Sequence, residues 1–140
     1  MARYLGIDYG QRRIGVAISD DGGRFAAALS QLDAAGDANA DARRVAELAR
    51  QHNAEAFVVG LPINMDDTEG PQARRTRRFA DRLAERSGLP VHLQDERLSS
   101  FAADEVLSAA ELTKAQRRRR RDKIAARMIL QSFLDAQTPE

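Results

Sequence analysis

Short apolar segments separated by polar turns open the chain. Residues 3–8 and residues 14–19 are strand-like, and a polar turn that contains glycine joins them. This pattern predicts a hairpin of two antiparallel strands. The sequence Asp20-Asp21-Gly22-Gly23 is typical of a tight turn, so we predict a third antiparallel strand over residues 24–30.

Helix-like and strand-like patterns alternate through the middle of the chain. Apolar residues at helical spacing predict a helix over residues 41–51, and a continuous apolar run predicts a strand buried on both faces over residues 56–60. Pro71 and Gly88 suit the start and the end of a second helix, and residues 91–94 predict another strand. The order predicts an α/β fold with one mixed sheet, three antiparallel strands then two parallel strands, flanked by helices.

The C-terminal part of the chain carries the clearest amphipathic pattern. Ser99 or Ser100 can cap one helix. A further helix follows the arginine-rich segment, and its apolar stripe comprises Ala125, Ala126, Ile129, Leu130, Phe133 and Leu134. Asp122 lies one turn earlier on the same stripe, so the pattern places a carboxylate on a buried face at the start of this helix. The helix dipole also favours an acid in a first turn, and that alternative stays open.

Asp8 ends the first predicted strand and lies among apolar residues. A carboxylate held close to a core is costly without a partner, and a metal ion is one such partner. Aspartate near a glycine such as Gly10 also commonly forms a turn. The local sequence does not distinguish these two interpretations.

Composition bounds the class of protein and the available chemistry. The 140 residues are 43% apolar and 31% charged, which suits one globular domain over residues 1–140. No apolar run approaches the roughly 20 residues that span a bilayer, and no signal-peptide core is present, so we expect a cytoplasmic protein. The absence of cysteine excludes disulfides, thiolate nucleophiles and cysteine-based zinc sites. With two histidines, any metal must be held mainly by carboxylates, which favours Mg²⁺ or Mn²⁺.

Positive charge is concentrated in two segments, although the net charge is only +1. The first comprises Arg74, Arg75, Arg77, Arg78 and Arg82, and the second comprises Lys114, Arg117, Arg118, Arg119, Arg120, Arg121, Lys123 and Arg127. Such segments favour an anionic partner, and residues 117–121 are predicted to form a basic loop that contacts nucleic-acid phosphates unless they are simply solvated. Arg13 beside Asp8 and Arg97 beside Glu96 are further candidate phosphate ligands.

Three acidic residues form the candidate catalytic group. Asp8 ends the first strand, Glu96 follows the last strand, and Asp122 begins the C-terminal helix. Neighbouring parallel strands end at one edge of an open α/β sheet, so these acids can converge there. Converging carboxylates repel one another unless divalent cations neutralise them, and two Mg²⁺ ions at such a site suit phosphodiester hydrolysis. Alternatively, Glu96 is a surface residue paired with Arg97, and the loop acids Asp66, Asp67 and Glu69 are fallback ligands.

Four motifs resemble those of the YqgF family, whose members are also called RuvX-like. They are Asp8-Tyr9-Gly10 with Arg13-Ile14-Gly15-Val16-Ala17, Val58-Val59-Gly60-Leu61-Pro62-Ile63-Asn64-Met65-Asp66, Asp95-Glu96-Arg97-Leu98-Ser99-Ser100, and Asp122-Lys123-Ile124-Ala125-Ala126 with Ile129-Leu130-Gln131. The resemblance implies a ribonuclease H-like fold with a five-stranded mixed sheet and a metal-dependent nuclease in which Asp8, Glu96 and Asp122 are the catalytic, metal-binding acids. It also implies processing of the 5′ end of precursor 16S ribosomal RNA, with ribosomal particles as partners, or cutting of branched DNA as in a Holliday junction resolvase.

Two positions depart from the family pattern, and two other function classes stay open. Asp67 stands where glycine is usual, which is expected to stiffen its loop, and Arg121 stands where an apolar residue is usual. One alternative class is a sugar kinase or actin-like ATPase, which needs two lobes where this length supplies one. The other is a non-catalytic RNA-binding module associated with the ribosome. The sequence allows a monomer or a homodimer, and symmetric junction cutting would require the dimer.

Overall fold

The computed structural model describes residues 3–97 and 114–137. Its strands are β1 (Tyr4–Tyr9), β2 (Arg13–Ser19), β3 (Ala26–Asp33), β4 (Ala56–Leu61) and β5 (Val91–Asp95). Its helices are α1 (Ala38–Gln51), α2 (Pro71–Ser87) and α3 (Lys114–Gln137). Among these described residues, no helix is both long enough and apolar enough to cross a bilayer.

The five strands form one mixed sheet in the order β3-β2-β1-β4-β5. The β1–β2 and β2–β3 pairs are antiparallel, whereas the β1–β4 and β4–β5 pairs are parallel. Tyr4 pairs with Ala56 and Ile7 pairs with Val59, so β1 and β4 end at the same edge of the sheet. This topology confirms the prediction of three antiparallel strands followed by two parallel strands.

Alternation along β1 divides its side chains between two cores. Leu5, Ile7 and Tyr9 pack with α1 and α2 on one face. On the other face the ring of Tyr4 meets that of Phe133 in α3, with centroids 5.5 Å apart. The whole predicted stripe of α3 is buried, and it comprises Ala125, Ala126, Ile129, Leu130, Phe133 and Leu134. β4 lies between the two helical layers, which explains why all of its residues are buried.

The segment between β3 and α1 differs from its prediction. β3 extends to Asp33, because Arg13 and Asp33 still pair across the β2–β3 ladder. α1 begins at Ala38, where the Asp37 side chain accepts a hydrogen bond from the Asn39 backbone N–H at 3.2 Å as the N-cap. The connection between this strand and this helix is therefore much shorter than the predicted bounds, which end the strand at residue 30 and begin the helix at residue 41. Alanine and polar residues there carry no hydrophobic period, so the pattern could not reveal either boundary.

α3 begins well before the position that its apolar stripe indicates. The helix starts at Lys114, so residues 117–121 are helical and the predicted basic loop is wrong. Asp122 lies beyond the second turn, which also removes the interpretation of this acid as a first-turn residue. Arginine is a good helix former, so the helix continues N-terminally from its buried stripe. The helix predicted from Ser99 or Ser100 lies outside the described residues.

Candidate active site

Asp8 lies near the end of β1 on the face that α3 covers. Gly6, two residues earlier, touches α3 so closely that an added Cβ would lie 2.6 Å from the Leu130 Cβ and 2.9 Å from the Ala126 carbonyl oxygen. Because side chains alternate along a strand, Asp8 shares the face of Gly6. The residue is half-buried at the edge where the parallel strands end.

Glu96 follows β5 and turns its carboxylate back over the sheet. Its backbone N–H donates a hydrogen bond to the Leu61 carbonyl oxygen at 3.2 Å, which holds the residue against the end of β4. A Cβ added to Gly60 would lie 2.8 Å from Glu96 Oε2 and 2.4 Å from the Ile129 Cδ1. Only glycine at position 60 therefore leaves room for both the carboxylate and the α3 side chain.

Gly60 lies between the two acids in the sheet. The β1–β4 register places Ile7 beside Val59, and its continuation places Asp8 beside Gly60, one strand spacing of about 4.8 Å away. Glu96, which follows β5 on the other side of β4, approaches Gly60 from that side. The structure thus brings Asp8 and Glu96 to the same edge and the same face.

The direction of α3 brings the backbone of Asp122 towards this edge. Phe133 meets Tyr4 at the start of β1, whereas Ala126 and Leu130 meet Gly6 further along the strand. α3 therefore runs antiparallel to β1, and the turn that precedes Ala126 lies towards Asp8. Within the part of the chain that the structure describes, no group of three acids or histidines could hold a metal ion. The side chains of Asp122 and residues 117–121 lie outside that part.

Arg97 connects the end of β5 to the loop after β4. Its guanidinium donates hydrogen bonds to Asp95 Oδ2 at 2.6 Å and to Asp67 Oδ1 at 2.8 Å. The Arg97 side chain lowers the pKa of the Asp95 carboxyl below its usual range. A phosphate would have to compete with these carboxylates for Arg97. Arg13, the other predicted phosphate ligand beside an acid, begins β2 and is half-buried.

The acids of the loop over residues 62–70 interact with neighbouring residues. Asp66 accepts hydrogen bonds from Thr68, and the hydroxyl of Thr68 lowers the pKa of Asp66. Glu69 accepts two hydrogen bonds from Arg77, at 2.6 and 2.8 Å, which lower the pKa of the Glu69 carboxyl. Asp67 has a φ of 69°, which explains why the family pattern usually has glycine there.

Hydrogen bonds from α2 hold the turn that follows Asp8, and no pattern in the sequence predicted them. In α2, Gln72 Nε2 donates to the Tyr9 carbonyl oxygen at 2.9 Å, and Arg75 donates to the Gly10 carbonyl oxygen at 3.2 Å. These bonds hold the backbone that directly follows Asp8. The spacing of the two α2 residues is helical, so the pattern could have placed them on one face, although not against this turn.

Tyr9 joins this network to both helices on its face of the sheet. Its ring is stacked on Phe79 with centroids 4.0 Å apart, and the Arg75 guanidinium lies 4.6 Å from the Tyr9 ring centroid. Its hydroxyl donates to Asp41 Oδ2 at 2.7 Å, while Asp41 Oδ1 accepts from the Ala35 N–H at 2.7 Å. Burial, together with the bond to Asp41, raises the pKa of the Tyr9 hydroxyl. Asp41 is fully buried, so these two donors replace its hydration.

The chain is similar to proteins of one family over nearly its whole length. Residues 2–136 match the family model RuvX, described as Holliday junction resolvase. A protein of Pelotomaculum thermopropionicum is 46% identical over 135 residues, which cover 96% of this chain and 88% of that protein. A protein of Symbiobacterium thermophilum is 47% identical over 134 residues, which cover 96% of this chain and 92% of that protein. Both relatives bear the name "Putative pre-16S rRNA nuclease".

Solved structures of RuvC share the fold. Thermus thermophilus RuvC in complex with a Holliday junction substrate superimposes with a TM-score of 0.61 at 16% identity, over 98% of this chain and 96% of that chain. A second Thermus thermophilus RuvC structure gives 0.56 at 17% identity, over 96% and 95% of the two chains. These likenesses confirm the expected ribonuclease H-like α/β fold. From the family match and the identity to its relatives, the chain belongs to the RuvX family.

Proposed function

We propose that this protein is a metal-dependent nuclease that hydrolyses phosphodiester bonds in precursor 16S ribosomal RNA. The observation that carries the proposal is the approach of Asp8 and Glu96 to Gly60, on one face and at one edge of the sheet. The names of the full-length relatives support RNA as the substrate. This role implies action in the cytoplasm, on ribosomal particles that contain the precursor.

The donor set fits a hard divalent cation. Carboxylate oxygens are the ligands that Mg²⁺ and Mn²⁺ prefer, and Asp8 and Glu96 present such oxygens on the same face of the sheet beside Gly60. Asp8 and Glu96 would hold the metal, and Asp122, carried towards the same edge by the backbone of α3, would complete the ligand set. When bound, divalent ions at such a site supply an activated water and charge stabilisation for a displaced oxygen.

The remaining residues of the site position these acids. The Gln72 and Arg75 bonds hold the Tyr9–Gly10 backbone, and Gly60 allows the Glu96 carboxylate to lie close to the sheet. Substrate phosphates would be bound by arginines, for which Arg13, Arg97 and residues 117–121 are the proposed set. Their contacts with the backbone would position the substrate without reading its base sequence.

A second candidate substrate is a branched DNA such as a Holliday junction. The description of the family and the RuvC complex with a Holliday junction favour this alternative. A four-way junction has paired scissile sites, so symmetric cutting would require a homodimer, whereas RNA processing can be carried out by a monomer. The catalytic acids would be the same for both substrates, because both contain phosphodiester bonds.

Replacing Asp8 tests the proposal directly. We expect Asp8→Asn to abolish cleavage in Mg²⁺ or Mn²⁺ while leaving folding and nucleic-acid binding intact, because the substitution removes a charged ligand and keeps the shape. The assay compares precursor 16S RNA, single-stranded RNA and a four-way DNA junction with each metal. Asp135→Asn, an exposed acid of α3, is the control and should cleave normally. Normal cleavage by Asp8→Asn would overturn the assignment of this site.

A further inference from the structure

The arginines of α2 differ in how tightly they are held by carboxylates. Arg77 donates two hydrogen bonds to Glu69, at 2.6 and 2.8 Å. The hydrogen bonds to Glu69 raise the pKa of the Arg77 guanidinium, and the charges of Glu69 and Asp81 act in the same direction. The bidentate pair makes Arg77 a poor ligand for a further anion.

A second row of arginines follows the exposed surface of the same helix. Arg74, Arg78 and Arg82 are four residues apart, so they form one ridge with about 5–6 Å between successive Cβ atoms. Arg74 donates to the Glu69 carbonyl oxygen, an uncharged partner, at 3.3 Å. Arg78 has no ion pair with any residue that the structure describes. Arg82 has an exposed partner, Glu85, at 3.2 Å, and such pairs exchange easily.

The ridge begins beside the candidate active site. The first turns of α2 contact the Tyr9 and Gly10 carbonyl oxygens through Gln72 and Arg75. From there the ridge extends about 12 Å along the helix, from Arg74 to Arg82, away from that edge of the sheet. Arg12 is exposed in the turn that follows Gly10 and carries a further positive charge at the same edge.

We propose that the ridge Arg74–Arg78–Arg82 binds the sugar–phosphate backbone of a single-stranded RNA segment that flanks the scissile bond. The inference rests on the proposed nuclease function and adds a binding surface for its substrate. A row of guanidinium groups, one for each helical turn, suits a chain of repeated phosphodiester anions. The RNA segment would cross the β1–β2 turn. It would pass from the acids on one face of the sheet to α2 on the other face.

The composition of the ridge favours a nucleic acid over an acidic protein. Specific protein interfaces generally centre on buried aromatic or apolar anchors. In the described part of the chain, the exposed large apolar side chains are Phe25, Met65 and Leu93, none of which belongs to α2. A row of arginines binds nucleic acid through counterion release, which depends steeply on salt.

The test measures RNA affinity against salt in the full chain carrying Asp8→Asn, so that binding is separated from cleavage. In that background, Arg74→Ala with Arg78→Ala is expected to reduce the slope of log affinity against log salt by about 1.4, which is about 0.7 for each lost phosphate contact. The corresponding lysine double variant should retain most of the slope. Arg50→Ala removes one exposed charge at the far end of α1 and should leave the slope unchanged.

Three outcomes would overturn the proposal. The first is an unchanged slope in the alanine double variant, and the second is the absence of RNA binding by the Asp8→Asn parent. The third is an alanine double variant that loses binding to polyglutamate, used as an acidic protein probe, but keeps its binding to RNA, which would indicate an acidic protein partner. Circular dichroism of each variant should show an intact fold, because alanine has a high helix propensity and the replaced side chains are exposed. Cleavage by the chain with an intact Asp8 is measured separately, so failure of the ridge and failure of the nuclease assignment give different results.

Discussion

Asp67 has a backbone conformation that costs most side chains free energy. Its φ of 69° lies in the left-handed region, where the family pattern usually has glycine. The carboxylate of Asp67 is also an ion-pair partner of Arg97, at 2.8 Å. The side chain thus links the loop to the end of β5, as expected of a residue that stiffens this loop.

The variants Asp67→Ala and Asp67→Gly separate the two contributions of Asp67. Both lose the ion pair, which is exposed and contributes at most about 1 kcal/mol. Only alanine retains the unfavourable φ, so we expect the glycine variant to be more stable than the alanine variant by about 1 kcal/mol. Urea unfolding of both proteins measures this difference. Equal unfolding free energies would show that the loop relaxes to another conformation.

The raised pKa of the Tyr9 hydroxyl predicts a fall in the free energy of unfolding at alkaline pH. Its pKa is raised in the folded protein, so above a pH of about 10 the unfolded chain releases a proton that the folded chain retains. The free energy of unfolding should therefore be fully present below that pH and decrease above it. Tyr9→Phe should remove this part of the pH dependence. At neutral pH it should cost about 1–3 kcal/mol, because buried Asp41 loses a hydrogen-bond donor.

Chemical unfolding over this pH range, in the presence of a chelator, tests the role of Tyr9. Tyr4→Phe is the matched control, since the Tyr4 hydroxyl makes an exposed contact of 3.5 Å with Gln137. The control should match the parent at neutral pH. An identical alkaline profile in the parent and in Tyr9→Phe would contradict the proposed cause.

At the scale of the elements, the packing of α3 on the sheet positions the site. Gly6 and Gly60 both lie under this helix, but the atoms above them differ. Gly6 faces the Leu130 Cβ and the Ala126 carbonyl oxygen, which belong to or adjoin the helix backbone. Gly60 faces the end of the Ile129 side chain and the Glu96 carboxylate, which are able to move. The same substitution should therefore have different consequences at the two positions.

We expect Gly6→Ala to lower the free energy of unfolding by about 1–3 kcal/mol, because α3 itself must shift. It should be the more destabilising of the two variants. Gly60→Ala should cost less stability and reduce cleavage more, because it displaces Glu96. Unfolding midpoints and cleavage rates, measured on the same preparations, test this order. If cleavage falls in proportion to stability in the same way in both variants, the position of the Glu96 carboxylate does not depend on Gly60.

At the scale of the whole molecule, the candidate acids come from three distant parts of the chain. Asp8 belongs to β1, Glu96 follows β5 and Asp122 belongs to α3. The approach of Asp8 and Glu96 to Gly60, and the direction of the α3 backbone towards that edge, depend on the complete sheet with its covering helix. A metal ion held by the proposed acids would therefore link these elements. Binding to the folded state alone stabilises a protein in proportion to the logarithm of ligand concentration.

Thermal unfolding with Mn²⁺ or Mg²⁺ tests this link without relying on activity. At a concentration of about 100 Kd the metal should stabilise the protein by about 2.7 kcal/mol. Asp8→Asn should lose most of this stabilisation, and Asp135→Asn should keep it. A midpoint that rises equally in all three proteins would indicate binding elsewhere.

The sequence by itself determined the order of the described elements, the buried face of α3 and the identity of the candidate acids. Hydrophobic period and turn residues are local properties, and they predicted the buried β4, the ends of α2 at Pro71 and Gly88, and the stripe of α3. The motifs that indicated the family are also local, because each is a short run of residues.

Only the tertiary structure decided what lies between those elements. Pairing across β2 extended β3, and capping by Asp37 set the start of α1, in a segment without hydrophobic period. The position of Glu96 above Gly60 and the bonds of Gln72 and Arg75 to the turn after Asp8 join residues far apart in sequence. Such contacts depend on strand register and on how closely helices approach the sheet, which no local pattern of residues encodes.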